Sequence, residues 1–251
     1  MAGAYLLNLI GRIIPVWLIF GISEKWLLLF AVLVCAYGME KGMQKRGRMA
    51  EVTGGIFLGA ILLLLVLCAG QGKTEYITEL FQEESFSIET SIRSAYRYLC
   101  FFSGISLLPF VMKDVEKRGS AGKTVIWGIL TVSGVMICVL LLLPAVLGWR
   151  RVQSETWPVL SLLAGADLPG NVLARFDVLW MGFLLYSLLF AVGSVFYYGE
   201  RILTSAHIGT GKFWLPVAVY VVSIFEADGM TVADLFEKYL ARIFVPGLLV
   251  I

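Results

Sequence analysis

"TVIWGILTVSGVMICVLLLLPAVLG", residues 124–148, is twenty-five residues long and carries no charge. A helix crosses about 30 Å of hydrocarbon with roughly 20 apolar residues, so this run spans a bilayer with residues to spare. It shows none of the two-residue alternation of an outer-membrane barrel strand. Lipid offers backbone N–H and C=O groups no partner, and a helix satisfies them internally. The segment is therefore predicted to be a transmembrane helix.

The rest of the chain agrees. It has 251 residues, 59% of them hydrophobic and 15% charged, with a mean hydropathy of +0.86. Soluble domains carry about 25% charged residues, and too few are present here to cover a water-exposed surface. Apolar runs fall at about 3–22, 26–39, 54–70, 95–112, 124–148, 177–199, 211–225 and 235–251. The fold class expected is an all-α integral membrane protein of about eight transmembrane helices, with residues 1–251 forming a single transmembrane domain. The runs 26–39, 211–225 and 235–251 are short or interrupted, whereas Val178–Gly199 has no charge. The first run has Arg12 in its middle and no small-residue cleavage site, unlike a secretory signal.

Basic residues give an orientation. The stretches 40–53, 113–123 and 200–212 hold ten Lys and Arg in 38 residues. The alternate stretches 71–97, 149–177 and 226–238 hold seven in 69, beside twelve acids. The first set is expected to be cytoplasmic, and both termini with it. The acidic stretch Gly70–Ser94 is expected to be solvated, with a surface helix over about Thr74 to Glu84.

Several features bear on chemistry. "YLCFFSGISLLPFVMKD", residues 98–114, places Ser103, Gly104 and Ser106 at mid-depth, ahead of Pro109. Two readings fit. One is a broken helix whose freed main-chain groups face a cavity, the device by which transporters hold solute. The other is a small-residue face packed against a neighbouring helix. Arg12 sits mid-span, three residues before Pro15. A charge there marks a functional site or an ion pair, unless the helix is so placed that Arg12 snorkels to an interface.

Enzyme chemistry has no footing in the sequence. G-x-S-x-G, H-E-x-x-H and G-x-x-x-x-G-K-[ST] motifs are all missing, and "SAGKT" at 120–124 lacks the first glycine of a phosphate loop. Cys35, Cys68, Cys100 and Cys138 lie far apart inside apolar runs, and His207 is the single histidine. The expectation is no enzyme, no metal site and no cofactor. A net charge of +2 gives no reason to expect nucleic acid.

"SETWPVLSLLAGADLPGNVLARFDVLW", residues 154–180, joins two spans. Its order of Trp157-Pro158, Leu168-Pro169-Gly170 and Arg175-Phe176-Asp177 resembles the B-subunit family of bacterial spore germination receptors. Those are ten-helix proteins of the amino acid/polyamine/organocation permease superfamily. "FFSGISLLPF" (101–110) looks like the family's sixth helix, and "YGMEKGMQKRGRMAE" (37–51) looks like its step between helices four and five. The resemblance implies that the chain holds helices three to ten of a five-plus-five inverted-repeat transporter fold, without a counterpart of the first two. It also implies that Phe102, Ser103, Gly104, Ile105 and Ser106 line a solute pocket. Ser106 stands where the family often has Glu, which removes a charge partner for an amino group at that position.

On the same resemblance, residues 149–177 form an external re-entrant or interfacial segment. Trp157, Pro158, Pro169, Gly170, Arg175 and Asp177 build a cover, and Leu160, Leu162 and Leu163 supply its apolar face. An ordinary interfacial helix fits that segment as well. The function implied is a germination receptor subunit in the bacterial cell membrane or spore inner membrane. Such a subunit binds a small-molecule germinant, an amino acid, and signals to other receptor subunits. The alternatives are an ion-coupled amino acid permease and a truncated, nonfunctional relative.

Overall fold

A computed structural model describes residues 1–17, 21–39, 42–73, 75–76, 88–107, 118–165, 176–207, 212–224, 231–244 and 246. Every regular element among them is helical: α1 (Ala2–Trp17), α2 (Glu24–Met39), α3 (Gly42–Ala69), α4 (Ile88–Phe101), α5 (Arg118–Leu147), α6 (Trp149–Ser154), α7 (Pro158–Ala164), α8 (Phe176–Ser205), α9 (Trp214–Ile224) and α10 (Val232–Tyr239). A short 3₁₀ helix, Phe102–Leu107, follows α4, and a π-helical turn, Leu240–Phe244, follows α10. The chain is an all-α membrane protein. Among the described residues, three helical stretches, Gly42–Ala69, Gly119–Leu147 and Trp180–Ser205, are long and apolar enough to cross a bilayer. Ala2–Trp17 and Trp214–Ile224 are apolar but shorter. At 16 residues, α1 rises about 24 Å, less than a full hydrocarbon thickness.

Several helices outrun their apolar stretches. The run predicted at 54–70 belongs to a helix starting at Gly42, so the basic stretch before it is helical and not an open loop. Its Lys, Arg, Met and Glu residues are good helix formers, and continuing the ladder keeps the backbone bonded. Of the final run, expected as a span at 235–251, the described residues form the end of α10 and the π turn, while 245 and 247–251 lie outside the described residues. Of the surface helix expected at Thr74–Glu84, Glu75 and Tyr76 are helical and the rest lies outside the described residues.

The helices form two compact units. The first comprises Met1–Lys45, Ile88–Asp114 and Met181–Ile251. Its core joins Leu7, Ile10 and Ile14 of α1 to Leu28, Val32 and Cys35 of α2 and to Leu188, Val192 and Phe196 of α8. Spacings of three and four residues put each set on one helix face. Glycines let the helices close up: a Cβ on Gly3 would lie 3.2 Å from Val219, and one on Gly199 2.8 Å from Leu215. Two buried polar side chains within this packing find carbonyl partners. Asn8 Nδ2 donates to the Ser223 carbonyl (3.4 Å), and Ser223 Oγ donates to the Tyr220 carbonyl (2.7 Å).

The second unit comprises Arg46–Ser87 and Val115–Trp180. Here α7 is the keystone: Leu162 packs with Cys68 and Leu143, and Leu163 with Leu64 and Trp180. Cys68 Sγ donates to the Leu162 carbonyl (3.6 Å), and the Lys73 amide to the Ala145 carbonyl (3.0 Å). Pro158 occupies the first turn of α7, where its missing N–H costs nothing. After α5, Gly148 takes φ +78° against the ring of Tyr76.

Internal burial is slight along the long spans. Only 17% of the most apolar window of α3, and 17% of that of α5, is buried, and Trp127 is 70% exposed. Such surfaces suit a hydrocarbon solvent. Phe196, fully buried, is expected to lose about 3 kcal/mol of stability on substitution by Ala, through the cavity left behind. Trp127→Ala is expected to change it by less than about 0.5 kcal/mol. Unfolding of the two variants in lipid nanodiscs measures the contrast, and equal losses would contradict this packing.

Candidate functional site

The site lies in the first unit, where α4 and its 3₁₀ continuation meet the C-terminal segment. The regular helix stops at Phe101, and the tighter 3₁₀ path begins at Phe102, within the Phe-Ser-Gly sequence. A 3₁₀ path stacks side chains three apart and bonds less well than an α-helix, so it marks a departure from the uniform ladder. Phe102 is half-buried and Gly104 exposed. A Cβ on Gly104 would meet nothing within 4 Å. The backbones of Ser103, Ile105 and Ser106 belong to this 3₁₀ helix, and their side chains lie outside the described residues.

The C-terminal segment is built to sit there. Thr231 caps α10 reciprocally: its Oγ1 accepts from the Asp234 amide (3.3 Å), while its own amide donates to Asp234 Oδ2 (3.1 Å). Its hydroxyl also donates to Asp234 Oδ2 (2.8 Å). These hydrogen bonds from Thr231 hold the Asp234 carboxyl below its ordinary pKa, with smaller help from Lys238 and Arg12. The π turn then presents the Ala241 carbonyl to Tyr96, whose hydroxyl donates to it at 2.7 Å. Cys100 and Leu240 are buried together beside Tyr96, Phe236 and Phe244. From α1, Tyr5 stacks on Phe236 with ring centroids 4.8 Å apart.

Two neighbouring hollows result. The larger, about 830 Å³, is lined mainly by apolar groups, among them Tyr5, Tyr98, Gly104, Leu107, Val195 and Phe236. Ser94 and Glu237 add polar groups to its wall. The smaller, about 340 Å³, is strongly charged, with Arg93, Asp234, Glu237, Lys238 and Arg242 around Tyr96 and Ala241. Glu237 and Ala241 belong to both. Arg93 also pairs with Glu89 (3.3 Å), in a bridge too exposed to contribute much. No group of three His, Cys, Asp or Glu able to hold a metal occurs among the described residues.

The residues singled out in the sequence are distributed unevenly. Gly104 lines the larger hollow. Arg12 is half-buried, and its charge reaches Asp234, so the mid-span cation has an acidic neighbour from the far end of the chain. Trp157 and Pro158 begin α7 in the other unit, where Leu160, Leu162 and Leu163 are buried. Pro169, Gly170 and Arg175 lie outside the described residues, as does the side chain of Asp177. Sequence reasoning missed Tyr5, Arg93, Asp234, Glu237, Lys238 and Arg242. The usable signals were the Thr231-x-x-Asp234 capping pattern and the three charges interrupting the last apolar run.

A family model described as spore germination protein matches residues 2–227. No curated protein gives a match, and no solved structure does.

The cap on α10 gives a pH prediction. A carboxyl whose folded pKa is depressed contributes stability above its unfolded pKa, and that contribution fades as pH falls through the folded value. Amide exchange in α10, relative to the intrinsic rate at each pH, is therefore expected to quicken below about pH 4. In Asp234→Asn it is expected to be faster throughout, without that pH step. An unaltered step in Asp234→Asn would remove the cap from the account.

Proposed function

The chain belongs to the spore germination protein family, and from that premise we propose that it is a germinant receptor subunit of permease-like build. It binds a small germinant, an amino acid, in the larger hollow beside the 3₁₀ helix, and it passes the binding event to other receptor subunits. The supporting observation is the change of helix type at Phe102, which brings Gly104 and Leu107 to the wall of a hollow of about 830 Å³. Such a volume lies within the range of small-molecule pockets. Binding produces a signal by favouring one of two arrangements of the helices, to the extent that the ligand contacts them differently. The basic-residue bias supports a placement with both termini cytoplasmic, in the spore inner membrane or the cell membrane.

Phe102, Ser103, Gly104, Ile105 and Ser106 form the pocket wall in this reading, and residues 149–177 form an external re-entrant or interfacial segment. A receptor subunit need not release solute on the far side, whereas a permease must. Counterflow of labelled amino acid in proteoliposomes separates the two, and sustained exchange would identify a permease. Gly104→Trp fills space that is open around Gly104. In spores it is expected to raise the germinant concentration for half-response about tenfold or more, equivalent to at least about 1.4 kcal/mol. Gly104→Ala should leave the response nearly unchanged. With normal protein levels in both, an unaltered response of the Trp variant would remove the pocket.

A further inference from the structure

The C-terminal ends of α3 and α5 are tied together just past their apolar stretches. The Lys73 amide donates to the Ala145 carbonyl (3.0 Å), and a Cβ on Gly72 would lie 4.0 Å from that of Ala145. The ring of Tyr76 faces Gly148, 3.8 Å from where a Cβ would stand. Lys73 Nζ lies 5.5 Å from the centre of the same ring. Trp149 and Arg150 follow at once, at the start of α6. We infer that this junction, Lys73 and Arg150 with the rings of Tyr76 and Trp149, binds the phosphodiester headgroup of an anionic membrane lipid, phosphatidylglycerol being the simplest.

The charge is concentrated here and of the right size. Seven Lys and Arg fall in the stretches 71–97, 149–177 and 226–238, and Lys73, Arg150 and Arg151 are three of them. Arg151 is matched locally: its Nε donates to Glu155 Oε1 at 2.7 Å, and Ser161 bonds the same carboxylate. Val152 packs inward with Cys68, Leu143 and Leu162. Arg150, two residues earlier and about 200° round the helix, therefore faces outward, and both it and Lys73 are exposed. Glu75 is the other described acid at this end. Three bases (Lys73, Arg150, Arg151) against two acids (Glu75, Glu155) leave one positive charge, and a phosphodiester is a monoanion. A guanidinium meets two phosphate oxygens at once, while an ammonium adds a point charge.

Depth favours a lipid over a free phosphate. Lys73 comes four residues after Ala69 and Arg150 three after Leu147, the last residues of two helical stretches able to cross a bilayer. The polar layer on each side of the hydrocarbon is about 5–7 Å thick, and one helical turn rises about 5.4 Å. Both cations thus fall at the level of the lipid phosphates. Tyr and Trp collect at that level because their rings join an apolar body to a polar edge, and Tyr76 and Trp149 are both half-buried. With the orientation the basic residues give, the leaflet is the one facing away from the cytoplasm.

The test places the full chain in phosphatidylcholine nanodiscs with a trace of phosphatidylglycerol bearing a photoactivatable headgroup. Cross-links to 149–157 are measured by mass spectrometry, and at trace levels their yield follows affinity. A phosphatidylcholine probe labelled in the same way is expected to give a yield at least about tenfold lower, since two bases at about fivefold each favour the anion. R150Q is expected to lower the phosphatidylglycerol yield about fivefold, and K73Q, on the other side of the junction, to lower it equally. K123Q removes an exposed cation near the opposite end of α5, several Debye lengths away, and is expected to change it less than about twofold. Excess glycerol 3-phosphate, the soluble headgroup, is expected not to compete.

Equal yields from the two lipids would overturn the inference, as would a loss from K123Q as large as that from K73Q, which reports only general attraction to the surface. Competition by glycerol 3-phosphate would overturn it by assigning the junction to a soluble phosphate. Cross-linking at 42–53 is read in the same samples. A loss in K73Q and R150Q confined to 149–157 supports the site, and an equal loss at both segments counts against it.

Discussion

Hydrocarbon has no hydrogen-bonding partner for a peptide group. Each N–H and C=O left unmatched in the bilayer core costs several kcal/mol, so the chain satisfies its backbone before anything else. That is why the regular elements described are helices, and why helices run on past their apolar stretches, as α3 does from Gly42 and α8 does to Ser205. Departures from the uniform ladder then carry information. Three stand out: the 3₁₀ helix at Phe102–Leu107, the positive φ of Gly148 and the π turn at Leu240–Phe244. Two of the three lie beside the same pair of hollows.

The constraint also separates what was readable from what was not. Residues 124–148 declare a span without reference to any other part of the chain, because lack of charge over that length has one physical meaning. Ser103–Ser106 invited two readings, a broken helix or a packing face, because Ser-Gly-x-Ser ahead of Pro109 is a weak place in any helix; the backbone there follows a 3₁₀ path. Boundaries were less readable. The basic residues at 41–48 look like an aqueous loop, since polarity reports the solvent around a segment and not its backbone conformation.

The charged side of the site was hidden for another reason. Glu237, Lys238 and Arg242 interrupt an apolar run, and hydropathy alone reads that as a poor span. They share hollows with Tyr5, Arg93 and Tyr96, which lie far away in sequence and come near only through packing. Arg12 shows the same limit: its mid-span position raised the question of a partner, and the weak pull it exerts on the Asp234 carboxyl reaches an element distant in sequence. Nearness of distant charges is a tertiary fact, and periodicity within one helix cannot report it.

The π turn carries a consequence of its own. Its wider i→i+5 loops hold one residue more than an α-helix would need, so Leu240–Phe244 contains slack. Drawing that slack in would rotate every later side chain by about 100° and reel the strand of chain along by about 1.5 Å, the increment of one helical residue. The Ala241 carbonyl would turn off Tyr96, and the guanidinium of Arg242 would shift within the charged hollow it lines. A small winding motion at the chain's end is thereby geared to a large change in the local electric field.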